Sequence, residues 1–121
     1  MCKIKTVRIG EQTVRVADIK TEYVKNIADA AASCSYIDKI VLFGSAIRND
    51  CREDSDIDIA VFGNQAKGKV LTSSKYRSFL NKVSAYDDFS QTYDILYFRS
   101  GKNYKDGIMA DIEQGEVLYA K

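Results

Sequence analysis

The spacing of apolar residues changes several times along the chain, and each change marks an element. Residues 3–9 and 13–16 are β-prone and flank a turn centred on Gly10, which predicts a short N-terminal hairpin over 3–16. From Asp18 the spacing is helical. Ile19, Tyr23, Val24, Ile27, Ala31 and Cys34 share one face, with Asp18 placed as N-cap. Residues 37–43 (IDKIVLF) and 55–62 (SDIDIAVF) read as two buried strands. Val70, Tyr76, Phe79, Leu80 and Val83 give the apolar side of one helix over 69–86. Residues 92–98 (TYDILYF) read as a third strand and 104–114 as a terminal helix, with the stripe Tyr104, Ile108, Met109, Ile112 packed in the core. The apolar Val117-Leu118-Tyr119 follows. There is no proline, so no helix is forced to break. This order predicts an α+β fold, α/β-like, with a mixed sheet flanked by helices in a single domain over residues 1–121.

Three aspartates interrupt the strands in a pattern. Residues two apart in a strand face the same side, so Asp56 and Asp58 project together while Ile57, Ile59 and Val61 project to the other face. Two adjacent carboxylates repel and call for a cation between them, and hard oxygen ligands point to Mg²⁺ rather than zinc. Asp94 sits at the start of an apolar strand, where a charge is costly unless paired or bound to metal. Placing it beside Asp56 and Asp58 makes the second and third strands parallel. Gly44-Ser45, at the end of the first strand, reaches the same place only if that strand is antiparallel to the second, which puts the site at one edge of a mixed sheet. Gly44 lets backbone approach a phosphate closely, and Ser45 offers a hydroxyl at the start of a short helix whose first amides point at an anion. A phosphate cradle beside a three-carboxylate site suits phosphoryl-type transfer, in which two metal ions bridge attacking and leaving oxygens.

Each residue also has a plainer reading. Asp56 and Asp58 at a solvated strand edge, Asp94 at an exposed strand start, Ser45 as a helix cap and Arg48 as a surface ion pair are the alternatives. An EF-hand reading of Asp54, Asp56 and Asp58 fails, because Ile59 stands where that loop needs glycine and Gln65 where it needs glutamate.

Composition narrows the chemistry. The chain has no histidine, which removes the commonest general base and the Ser-His and Cys-His pairs. The formal net charge is +1 with no Lys/Arg block, which argues against nucleic acid as partner. Cys2, Cys34 and Cys51 are odd in number and lack C-x-x-C spacing, against a zinc site or disulfide framework. The start lacks the apolar segment of a signal peptide, and no apolar run approaches ~20 residues. The expectation is a cytoplasmic protein without a membrane span.

Gly44-Ser45, ten residues, Asp56-x-Asp58, then Asp94 in an apolar strand resembles the DNA polymerase β-like nucleotidyltransferase superfamily. The small size and the ending IEQGEVLY (112–119) resemble its minimal nucleotidyltransferase (MNT) branch. The resemblance implies that Asp56 and Asp58 hold the metals, that Asp94 completes the metal site and helps deprotonate the acceptor, and that Gly44, Ser45 and the remaining Arg48 bind nucleotide. Many members carry Gly-Ser-Arg-x-Arg-Gly. Here Ala46 replaces the first arginine and Asn49 the last glycine. The resemblance further implies Mg²⁺, two ions, and ATP as substrate. Its implied partner is a HEPN-domain toxin in a hetero-oligomer, with AMP placed on a toxin tyrosine and this chain as antitoxin. The shortage of chain for a second substrate domain agrees with that partner. The alternatives are a small-molecule enzyme of the aminoglycoside-modifying kind and a non-catalytic partner-binding module.

Overall fold

The computed structural model describes residues 2–121. The N-terminal hairpin is present as β1 (Ile4–Ile9) and β2 (Gln12–Ala17), turning at Gly10. Strands β3 (Ile37–Phe43), β4 (Ile57–Gly63), β5 (Tyr93–Arg99) and β6 (Glu116–Ala120) form a second sheet in the order β5-β4-β3-β6. β3 is antiparallel to β4, and β4 is parallel to β5, as the aspartate argument required. β6, expected only as an apolar run, pairs antiparallel with β3. It reaches that place because Gly115 packs where a side chain would not fit. A Cβ there would lie 2.8 Å from Val41 Cγ1 and 3.1 Å from the Ile112 carbonyl.

Alternation along β3 to β6 gives the sheet two apolar faces. On one, Ile40, Leu42, Ile57, Ile59, Val61 and Leu118 pack against helices α1 (Thr21–Ala32) and α3 (Ser74–Ala85) and the inner side of β2. On the other, Val41, Phe43, Ala60 and Phe98 meet α4 (Ile108–Glu113) and Tyr104. The second face carries the lighter cover, and it is the face on which Asp58 lies, in phase with Ala60. Cys34 sits in the main core, while Cys2 and Cys51 share a small apolar cluster with Ala17; all three are free thiols.

Three helix expectations are corrected. Asp18 does not cap α1. It opens a 3-10 turn (Asp18–Lys20), its carboxylate accepts the neighbouring Ile19 N–H at 2.8 Å, and α1 begins at Thr21. The tighter turn shifts the phase, so Ile19 faces solvent and Lys20 faces in. The helix over 69–86 is two: α2 (Lys67–Leu71) and α3. Between them the Thr72 hydroxyl donates to the Gly68 carbonyl and the Ser73 hydroxyl to the Val70 carbonyl, at 2.9 and 2.7 Å. Such bonds compete with the helical ladder, and Ser73 then caps α3 by accepting the Tyr76 N–H at 3.2 Å. The terminal helix is only Ile108–Glu113. Tyr104 is held outside it by its ring, 4.9 Å from Phe98 by centroids, and by its hydroxyl, which accepts the Arg99 N–H at 2.9 Å. Within the expected stripe, Ile108 is exposed while Ile112 is buried.

The break at Ser73 gives a test by sign. Ser73→Ala should destabilise the protein by ~1 kcal/mol, the usual loss for a cap. In a continuous helix the same change would be neutral or stabilising, because alanine is the better helix former. Denaturant unfolding of the two proteins distinguishes the outcomes.

Candidate active site

The end of β3 and the starts of β4 and β5 meet at one end of the sheet. Phe43 pairs with Asp58 across the antiparallel ladder, and Asp58 pairs with Asp94 across the parallel one. Asp58 and Asp94 therefore stand on one rung of neighbouring strands, which lie about 4.8 Å apart. Asp58 is half-buried and Asp94 exposed. Burial raises the Asp58 pKa above its ordinary value, and the negative charges of Asp94 and Asp56 raise it further. Arg48 opposes them.

Asp56 precedes β4 and is exposed. Its carboxylate accepts a hydrogen bond from the Thr92 hydroxyl. Its charge still reaches Asp58, but among the described residues no group of three acidic, cysteine or histidine side chains is set close enough to hold a metal ion. The donors themselves fit a hard divalent cation. All are carboxylate oxygens, they carry excess negative charge, and the register sets two of them, Asp58 and Asp94, on one rung.

Gly44 has φ +76°, and a Cβ there would collide with the Asp58 Oδ2 atom and lie 3.1 Å from its Cγ. Only glycine allows the chain to turn this closely over a carboxylate. Ser45 stands near the start of a short helical turn, as expected, but the alternative of a side-chain cap does not hold. It lies inside a 3-10 turn (Gly44–Ile47) whose cap position is Phe43, and its hydroxyl reaches the Asp56 carbonyl at 3.5 Å. Arg48 ends that turn. Its Nε sits 3.3 Å from Asp50 Oδ1, an exposed ion pair, while its charge still acts on Asp58.

Sequence reasoning missed Lys20 and Gln91. Lys20 is buried, and its Nζ donates to the Glu53 and Ser55 carbonyls and to Gln91 Oε1. Burial pushes its pKa below the ordinary lysine value. The available signal was phase, since Lys20 falls on the same helical stripe as Val24, Ile27 and Ala31.

A four-stranded mixed sheet with carboxylates at one end, faced by a glycine turn, is the arrangement of a nucleotidyltransferase. Residues 25–121 match the family described as Polymerase beta, Nucleotidyltransferase, and the chain belongs to that family. No curated protein matches it. No described helix is long and apolar enough to cross a membrane.

A raised carboxyl pKa has a stability consequence. Between the unfolded value and the higher folded one, the native state holds more protons, so Asp58 favours folding below the unfolded pKa and that contribution is lost as pH rises through the folded pKa. In EDTA at pH 7, Asp58→Asn should raise Tm by about 2–5 °C. The gain should shrink as pH falls toward 4, near the ordinary carboxyl value. Calorimetry across that range checks the sign, and a lower Tm for the variant at pH 7 would refute the electrostatic account.

Proposed function

We propose that this protein is a Mg²⁺-dependent nucleotidyltransferase that moves AMP from ATP to an acceptor hydroxyl, a tyrosine of a HEPN-domain toxin, and so acts as its antitoxin. The observation that carries the reading is the Asp58–Asp94 rung under a glycine turn too close for any side chain. A triphosphate laid on that turn would meet a field set by carboxylates, since Arg48 is already paired with Asp50. Only a cation makes such a meeting favourable. Asp56, Asp58 and Asp94 are the ligands offered, and bound Mg²⁺ would supply charge neutralisation between attacking and leaving oxygens. The Gly44 and Ser45 backbone and the Ser45 hydroxyl hold phosphate oxygens, with Arg48 at the rim. In the transfer, the acceptor oxygen bonds the α-phosphorus, the bond to the β-phosphate oxygen breaks, and pyrophosphate leaves. The acceptor proton passes to Asp94, because the chain has no histidine to take it.

The acceptor class rests on two supports. The MNT-like ending forms β6, which lies against the strand that leads into Gly44. Asp56 and Asp94 are exposed, so a hydroxyl carried by a macromolecule can approach them. A hetero-oligomer with its acceptor protein in the cytoplasm follows from this reading, with no nucleic acid required.

Asp94→Asn should lower turnover by at least ~10²-fold, the usual range for a positioned base, while nucleotide affinity changes far less. Ser45→Ala should show the reverse balance. The assay incubates the chain with candidate partner proteins, labelled nucleoside triphosphates and Mg²⁺, and reads nucleotide adducts by intact mass. Undiminished transfer by Asp94→Asn removes that residue from the mechanism. No adduct with any partner under binding conditions favours a non-catalytic module.

A further inference from the structure

The family match begins at residue 25, yet a charged side chain that organises the site lies before it. Lys20 is 1% exposed. Its ammonium donates to the Glu53 carbonyl at 2.9 Å, the Ser55 carbonyl at 2.8 Å and Gln91 Oε1 at 2.6 Å, which uses all of its hydrogens. These acceptors belong to two separate segments. Glu53 and Ser55 lead into Asp56 and β4, whereas Gln91 leads into Thr92 and β5. Gln91 is 7% exposed and ties the same segments from its other end, its Nε2 donating to the Ser55 carbonyl at 2.9 Å and the Thr92 carbonyl at 2.7 Å. The Thr92 carbonyl also accepts the Ile57 N–H at 3.1 Å, and the Thr92 hydroxyl holds the Asp56 carboxylate.

Every hydrogen-bond acceptor of the ammonium is neutral and, among the described residues, no carboxylate is close enough for an ion pair, so burial is costly and only the more distant charges of Asp54 and Asp56 offset it. An apolar side chain of similar length would fill the space with no charge to desolvate. What an ammonium does, and a hydrocarbon does not, is fix three oxygens from two loops at set directions. We propose that Lys20, acting through Gln91, is a positioning residue that sets the Asp56 segment against the Asp58–Asp94 rung, so that the carboxylates address one divalent cation. The inference rests on the nucleotidyltransferase reading of that rung.

Mn²⁺ serves as the probe, its binding to the full chain followed by electron paramagnetic resonance with α,β-methylene ATP present. Nucleotide affinity is measured separately in EDTA. Lys20→Met keeps the length and removes the donors. It should weaken Mn²⁺ binding about 10- to 100-fold, the range for supports of metal ligands, and leave nucleotide affinity in EDTA unchanged. Gln91→Glu keeps an acceptor for Lys20 and loses both donations, and should weaken Mn²⁺ by about 10-fold, the lower end of that range. Should Lys20→Met fail to fold, Gln91→Glu carries the test. A general loss of stability would not move Mn²⁺ affinity measured well below Tm. If Asp58→Asn abolishes Mn²⁺ binding while the folded Lys20 and Gln91 variants bind as the parent does, the positioning role is overturned and the reading of the rung survives. If the parent with nucleotide binds no Mn²⁺ that Asp58→Asn removes, both fall together.

Discussion

Asp58 and Asp94 repel one another, and the sheet gives them no room to separate. β4 is paired on both sides, to Phe43 at this rung on one edge and to Asp94 on the other. A slip of one residue would relieve the repulsion, but it would also turn Ile57, Ile59 and Val61 out of the core, where each is fully buried. Burying such a side chain is worth ~1.5–3 kcal/mol, whereas like charges opposed across strands cost on the order of 0.2–1 kcal/mol. Packing wins, and the charge conflict persists as a property of the fold. The part of the Asp58 pKa rise that Asp94 adds to the larger effect of burial, the forced glycine at position 44 and the demand for a cation all descend from that one register.

The strands were legible because a half-buried strand writes its two faces in alternate residues. In β4, Ile57, Ile59 and Val61 marked one face, and the carboxylates could only occupy the other. Given that, the start positions of Asp58 and Asp94 and the end position of Gly44 sufficed to orient three strands. β6 was not legible as a strand, because Val117-Leu118-Tyr119 is too short to show alternation and its partner β3 lies far away in sequence. Helix ends failed for a local reason. Thr72 and Ser73 bond backbone carbonyls through their hydroxyls, and the 3-10 turn at Asp18 shifts the phase by which Ile19 was assigned to the core. Neither effect shows in hydrophobic spacing.

The site was legible in part for the same reasons. Residues fixed by the ladder, Asp58 and Asp94, lie where the pattern put them. Those outside it depend on hydrogen bonds that sequence does not reveal. Asp56 belongs to the segment before β4, and its carboxylate is held by the Thr92 hydroxyl rather than by the ladder. Arg48 follows the glycine turn, and Asp50, two residues on, claims its guanidinium. Lys20 lies in a stretch of mixed polarity where a solvated lysine is the ordinary expectation.

The connection into β5 shows why such anchors are needed. Asp87, Asp88 and Phe89 adopt consecutive φ values of 55°, 57° and 61°, a left-handed run without glycine. That conformation costs L-residues ~1–2 kcal/mol each, and it persists only where surrounding bonds hold it. Local backbone bonds from the Asp88 N–H to the Ala85 carbonyl and from the Ser90 N–H to the Asp87 carbonyl, both 3.1 Å, are joined by bonds from the N-terminal part of the chain. The Tyr23 hydroxyl in α1 donates to Asp87 Oδ2 at 2.7 Å, and Lys20, just before that helix, grips Gln91. Ser90 adds a local bond to the same carboxylate at 3.0 Å. Two side chains one helical turn apart thus brace both ends of a five-residue approach to Thr92 and Asp94. The sheet fixes which rung Asp94 occupies. The turn at Asp18–Lys20 and the first residues of α1, which precede the family-matched region, fix the path by which the chain arrives there, and with it the hydroxyl that holds Asp56.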